Sequence, residues 1–161
     1  MAYIKDPDQA SEGCPFCVLP DRGPEHDRET LIVYRARWAF AILNAYPYNP
    51  GHLMMVPYRH VASIDDLTLE ELHELADLCQ RGVRALRAAS GPHAFNIGMN
   101  IGGVAGAGIA DHLHQHVVPR WGGDTNFMPV IGQTRVLPEL LEETYDRLLP
   151  AFAEDEPGSG T

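Results

Sequence analysis

The sequence predicts an α+β domain: an antiparallel sheet of about five strands, one long helix and a C-terminal helix. Three observations carry this. Short runs rich in β-branched and aromatic residues dominate the middle of the chain, and the hairpin-length links between them favour antiparallel pairing. Residues 68–89 place apolar side chains at steps of three and four, the period of a helix with one buried face. LPELLEETYDRLL, residues 137–149, repeats that pattern near the C-terminus. A chain of 161 residues suits one domain with a real core. The expected boundaries are a flexible N-terminal segment over 1–12, a single domain over 13–150 and a disordered tail over 151–161.

The elements follow in order. CPFC, 14–17, leads into a loop marked by Pro20, Gly23 and Pro24. LIVYRARWAFAILN, 31–44, reads as two strands joined near Arg35 to Arg37, with Trp38 expected in the core. The turn-rich AYPYNPG, 45–51, precedes a short buried strand, HLMMVP, 52–57. Thr68 and Glu71 form a capping box for the long helix, whose apolar stripe is read as Leu69, Leu72, Leu75, Cys79, Val83 and Leu86. Gly91-Pro92 stops it. HAFNIGMN, 93–100, is a strand, GGVAGAG, 102–108, a glycine-rich loop, and HLHQHVV, 112–118, a strand.

Composition narrows the function. The net charge of −10 argues against nonspecific binding to a nucleic-acid backbone, which needs many cations. It says nothing against a small anion, which feels the local field. No apolar run is long enough for a membrane span, and the first residues lack the pattern of a secretion signal. Three cysteines, an odd number, fit a reducing cytoplasm better than a disulfide framework.

The segment DHLHQHVVPRW, 111–121, puts histidines at three alternate positions, 112, 114 and 116. On a strand, alternate side chains share a face. Three imidazoles make a poor core, because each has a donor and an acceptor to satisfy. Protonated neighbours would repel, so at least one stays neutral, and a neutral imidazole is a nucleophile or a metal ligand. A solvated strand face with incidental histidines is the plain alternative.

Cys14 and Cys17 form a C-x-x-C pair, which can fill two vertices of a tetrahedral zinc site. A redox dithiol is the rival, but that motif normally sits where a strand feeds a helix, whereas CPFCVLPDRG reads as running into a loop. Two packed thiols are the bland reading. Among eight histidines, zinc is preferred. GMNIGGVAGAG, 98–108, enters a strand and lacks G-K-[ST], so it is neither a P-loop nor a dinucleotide-binding turn. Beside the histidines it reads as a backbone cradle for phosphate.

HLHQHVV resembles the signature of the histidine triad (HIT) superfamily, and AFAILNAYPYNPGHLMMVPYRHV, 39–61, is similar to that family's upstream block. The resemblance spans roughly 14–121. WGGDTNF with the C-terminal helix looks like the branch containing bacterial diadenosine tetraphosphate phosphorylases and Fhit-like hydrolases. It implies a HIT-like fold, a homodimer and a nucleotide substrate, and leaves assembly into a tetramer open; the charge and the apolar runs leave neither nucleic acid nor membrane as an expected partner. It implies His114 as the nucleophile that forms a histidine–nucleotide (AMP) intermediate, and His116 as the residue steadying the phosphate. His112, His60, Cys14 and Cys17 are the implied ligands of a structural zinc. His52, Asn100, Ala107 and Gly108 are implied near the phosphates, and Asn44 at the ribose.

Two departures stand out. Gln115 replaces an apolar residue, on the far face. Gly108 has neither the Gln common in the hydrolases nor the Ser or Thr of the phosphorylases, which leaves water and phosphate open as acceptor. The reading is an enzyme that cleaves dinucleoside polyphosphates. The alternatives are a Hint-type phosphoramidate hydrolase, a zinc-dependent hydrolase, and a nucleotide-binding regulatory protein with little turnover.

Overall fold

In a computed structural model of the chain, residues 13–124 and 140–154 are described. Helix α1 spans Pro15–Asp21 and a single turn, α2, Asp27–Thr30. Strands β1 (Ile32–Arg35), β2 (Ala39–Leu43) and β3 (Leu53–Pro57) follow, then α3 (Leu69–Ser90), β4 (Ala94–Met99), β5 (Gln115–Arg120) and α4 (Leu141–Glu154). The five strands form one antiparallel sheet in the order β1-β2-β3-β5-β4. This is the α+β architecture that the pattern of strands and helices predicts.

Strand alternation divides the core in two. Ala39, Ala41 and Leu43 of β2, Leu53 and Met55 of β3 and Val117 of β5 face α3 and α4, where they meet Leu75, Leu78, Leu86, Leu148 and Phe152. Phe40 and Ile42 of β2 and Met54 and Val56 of β3 face the other way and pack under Phe16 of α1. The second face also carries His116, which pairs with Met54 across β3 and β5. The helices brace one side of the sheet, and the histidines lie on the other.

Three expectations change. CPFC does not enter a loop: Cys14 is the residue before α1, and Pro15, with its φ preset, starts the helix. The helix removes the ground on which the redox alternative was set aside, and the choice passes to the ligand geometry described below. The buried stripe of α3 is Glu71, Leu75, Leu78, Arg81, Gly82, Ala85 and Leu86, while Leu69 and Leu72 face water. The sheet meets the helix at Gly82, where a Cβ would come within 2.5 Å of Met55 Cε, so the close approach selects the stripe. Trp38 is 39% exposed, with the Arg37 guanidinium over its ring, rather than in the core.

The capping box at Thr68 and Glu71 and the left-handed Gly91 stop are both present. At the C-terminus the fold outlasts its expected end at 150. Helix α4 continues to Glu154 and buries Phe152, so Ala151 to Glu154 belong to the domain. Residues 1–12, 125–127 of WGGDTNF, 137–139 and 155–161, also subjects of expectations, lie outside the described residues. Truncating Phe152 to Ala should cost about 3–5 kcal/mol of stability, the usual range for a buried aromatic. Urea unfolding measures it, and a loss below about 1 kcal/mol would place Phe152 outside the core.

Candidate active site

The site grows from the pairing of β3 with β5. Strand β5 begins at Gln115, so only His116 of the three alternating histidines is on a strand; His112 and His114 lie in the segment leading into it. That segment is clipped down from both sides. Leu113 N donates to Val61 O at 2.6 Å, and His112 Nε2 donates to Pro57 O at 2.9 Å. Alternation persists in effect: Leu113 is buried, Phe16 touches both the His112 and His114 rings, and the His114 and His116 ring centres are 4.9 Å apart.

Hydrogen bonds assign a proton to one nitrogen of each ring. His114 Nδ1 lies 2.9 Å from His112 O, which only accepts, so Nδ1 carries the proton and Nε2 presents a lone pair. Tyr48 N–H donates to His52 Nδ1 at 3.2 Å. His52 Nε2 is then the protonated nitrogen and donates to His116 Nδ1 at 2.9 Å. His116 is left with an N–H at Nε2. The two rings thus offer one lone pair and one donor: the first can attack an electrophile and the second can hold an anionic oxygen.

Burial keeps these rings neutral. It lowers the pKa of His114 below the usual imidazole value, partly opposed by the bond to the His112 carbonyl. His116 falls to about 4 through burial and then the charge of His114; His52 falls to about 3 through burial and then His116 and His114. An imidazole that water no longer solvates disfavours the cation, and neighbouring rings add repulsion.

A cavity of about 420 Å³ opens over His114 and His116. Asn44, Tyr46, Asn100, Ala107 and Gly108 line it, with Phe16 and Ile109 supplying apolar wall. This volume lies in the usual range for a small-molecule site, about 300–1,000 Å³. The structure therefore brings Asn44, Asn100, Ala107, Gly108, His114 and His116 to one place. His52 is different. It was expected beside the phosphates, yet it is fully buried and lies behind His116. Its Nε2–H holds the His116 ring in place. Tyr48 was missed altogether; the only available signal was an aromatic residue in the turn-rich link before β3.

A second constellation adjoins the first. The ligand atoms of Cys14, Cys17, His60 and His112 all lie within 4.8 Å of one another. His112 Nδ1 is 3.2 Å from Cys14 Sγ and 3.6 Å from Cys17 Sγ, and His60 Nδ1 is 3.3 Å from Cys17 Sγ. Sulfur and nitrogen on two vertices of a zinc tetrahedron are separated by about 3.6 Å, from bonds of about 2.3 and 2.05 Å. The donor set and spacing fit a four-coordinate metal. The bond to Pro57 O leaves the His112 lone pair facing the thiols. Arg59 supports His60's turn by pairing Nε and a terminal nitrogen with Glu71 at 2.9 and 2.7 Å, so the carboxylate that caps α3 also anchors this turn.

The depressed His52 and His116 pKa values have a consequence for stability. Unfolded imidazoles titrate near 6.5, so between pH 6.5 and about 4 the unfolded chain binds protons that the folded chain refuses. Stability should be fully present above pH 6.5 and fall as the pH drops. Thermal melts at pH 7, 6 and 5 test this against His52→Asn. A shallower decline in the variant is expected, and an identical slope would show that His52 does not contribute.

The HIT domain family matches residues 25–123. The AP-4-A phosphorylase of Mycobacterium tuberculosis is 49% identical over 150 residues, covering 92% of this chain and 75% of that protein. An asymmetrical bis(5'-nucleosyl)-tetraphosphatase of Schizosaccharomyces pombe is 33% identical over 89 residues, 55% of this chain and 48% of its own length. Among solved structures, a Zn-bound histidine triad family protein from Mycobacterium smegmatis superposes with a TM-score of 0.69 at 27% identity, covering 89% of this chain and 96% of that one. A hypothetical histidine triad nucleotide-binding protein from Sulfolobus tokodaii has the same fold, with a TM-score of 0.74 at 23% identity over 92% of this chain and all of that one. The family match spans more than half of the sequence, and the chain belongs to the HIT family.

Proposed function

We propose that this chain cleaves dinucleoside polyphosphates, diadenosine tetraphosphate among them, through a covalent His114–AMP intermediate. One observation carries the reading: the His112 carbonyl holds the proton on His114 Nδ1, so a neutral Nε2 lone pair enters a nucleoside-sized cavity. Nε2 attacks the α-phosphorus, an N–P bond forms, and the bond to the bridging oxygen breaks. That oxygen leaves with the electron pair as the end of ATP. The Nε2–H of His116 donates to a non-bridging oxygen while charge builds on it. The Asn100 side chain and the backbone at Ala107 and Gly108 complete the phosphate contacts, and Asn44 the ribose contact.

In the second step an acceptor oxygen attacks phosphorus and the N–P electrons return to His114. The 49% identical relative named a phosphorylase favours inorganic phosphate as that acceptor, giving ADP. Gly108 offers no side chain for it, so backbone N–H groups take that role. Chromatography of products from diadenosine tetraphosphate, with and without phosphate, decides. ADP and ATP appearing only with phosphate is the expected result. AMP and ATP in either buffer would make the enzyme a hydrolase. Absence of cleavage in both would sink the reading in favour of a phosphoramidate hydrolase or a binding protein. His114→Ala should lower turnover by roughly a thousandfold or more while nucleotide binding persists.

The metal reading is zinc, bound by Cys14, Cys17, His60 and His112. With four protein ligands it supplies no open position for water and serves structure, tying α1 to the segment that carries His114. Paired thiol ligands need reducing surroundings, and all three cysteines are free, which supports a cytoplasmic setting. A homodimer is supported by β4, a sheet edge with Ile97 48% exposed. Native mass spectrometry should find two chains and one zinc per chain, and chelation should lower the melting temperature. A single-chain mass would refute the dimer, and a metal-free protein with an unchanged melt would refute the zinc.

A further inference from the structure

A second cavity lies on the other side of His116. It measures about 440 Å³, nearly the size of the first. Its floor is the same sheet face that carries His116. Gly98 pairs with His116 and Asn96 with Val118, and Arg120 extends the row. Tyr48, Asn100 and His116 line both cavities, so the two meet at the His116 ring. His114 borders only the first.

We propose that the second cavity binds the departing nucleotide, so that the substrate straddles His116 with one nucleoside on each side. The assignment rests on the dinucleotide-cleaving reading above. In-line attack by His114 Nε2 places the breaking P–O bond on the side of phosphorus away from His114. The polyphosphate leaving on that bond carries its electron pair past His116 and into the space beyond. A substrate with a small leaving group has no use for a second site of nucleotide size.

The lining suits a nucleoside. Tyr48 keeps 68% of its surface in water, a large aromatic at the mouth of a cavity, and a base can stack on it. Arg120 is paired with Asp124 at 2.6 and 2.8 Å and donates to Asn96 Oδ1 at 2.6 Å. The ion pair balances its own charge, so this rim favours hydrogen bonding to sugar and base over capture of free phosphate. Gly98 is the telling residue. Glycine weakens a strand, yet a Cβ here would meet nothing within 4 Å, so packing does not require it. The missing side chain leaves the passage beside His116 clear. Pairing of a second copy along β4 would use in-plane backbone groups and leave this face open.

The test is Gly98→Val, a residue that strands accept readily. Two quantities are measured on the purified protein: KM for diadenosine tetraphosphate, and the constant for competitive inhibition by AMP, which needs only the first cavity. The expected result is a rise in KM of tenfold or more with the AMP constant changed less than twofold. An unchanged KM, or equal shifts in both, would overturn the assignment while leaving the cleavage reading intact. A parent protein that does not cleave the dinucleotide would remove the cleavage reading and this assignment together. Should Gly98→Val not fold, Asn96→Phe enters the same cavity from two residues away on the same face, and the same pair of measurements decides.

Discussion

The antiparallel pairing of β3 with β5 is the constraint on which the other features depend. Its register sets Leu53 against Val117 and Met54 against His116. From that alignment, residues just before β3 meet His116, which is how His52 comes to lie behind it. Residues just after β3 meet the segment before β5, so Pro57 O receives His112 and Val61 O receives Leu113 N. A slip of one residue would turn His116 into the helix-covered core and Val117 toward the cavity. Main-chain carbonyls hold His112 and His114, and the Tyr48 N–H holds His52, whose ring in turn holds His116.

Neutrality is the second theme. The chain carries a net charge of −10, a mean field that favours protonated histidines. Burial prevails locally: His52 and His116 fall to about 3 and about 4 because water cannot solvate the cations. A neutral His114 suits the phosphorus nucleophile proposed above, and a neutral His116 whose tautomer is set by His52 still has a proton to donate. The bond network supplies polarity without charge, which suits a site that must admit an anionic substrate and release anionic products.

The turn that carries His60 and the start of the long helix meet at one carboxylate, Glu71. Glu71 was legible as the N3 partner of Thr68 in a capping box, because that motif is local and its spacing is unambiguous. Its pairing with Arg59 was not, since twelve residues and a turn separate them. The helix cap, the turn bearing His60 and the segment bearing His112 thus form one mechanical unit.

Much could be read directly from the residues. The strand and helix types, the capping box, the Gly91 stop and the chemistry of the histidine and cysteine motifs are local properties, set by side-chain type and by periods of 2 and 3.6 residues. The α1 helix was hidden because Pro15 and Pro20 resemble loop punctuation, although Pro15 is at home as the first helical residue and Pro20 falls in the last turn of a seven-residue helix. The buried stripe of α3 was displaced because Gly82, silent in a hydropathy pattern, is where the sheet comes closest. By itself the sequence determined which functional groups are present and which short-range structure they occupy. Only the tertiary structure decided which ring nitrogen holds each proton, that His52 backs His116 instead of touching the cavity, and that two cavities of similar size meet at one imidazole. Those outcomes depend on contacts between residues tens of positions apart, where burial and strand register, not local propensity, set the energy.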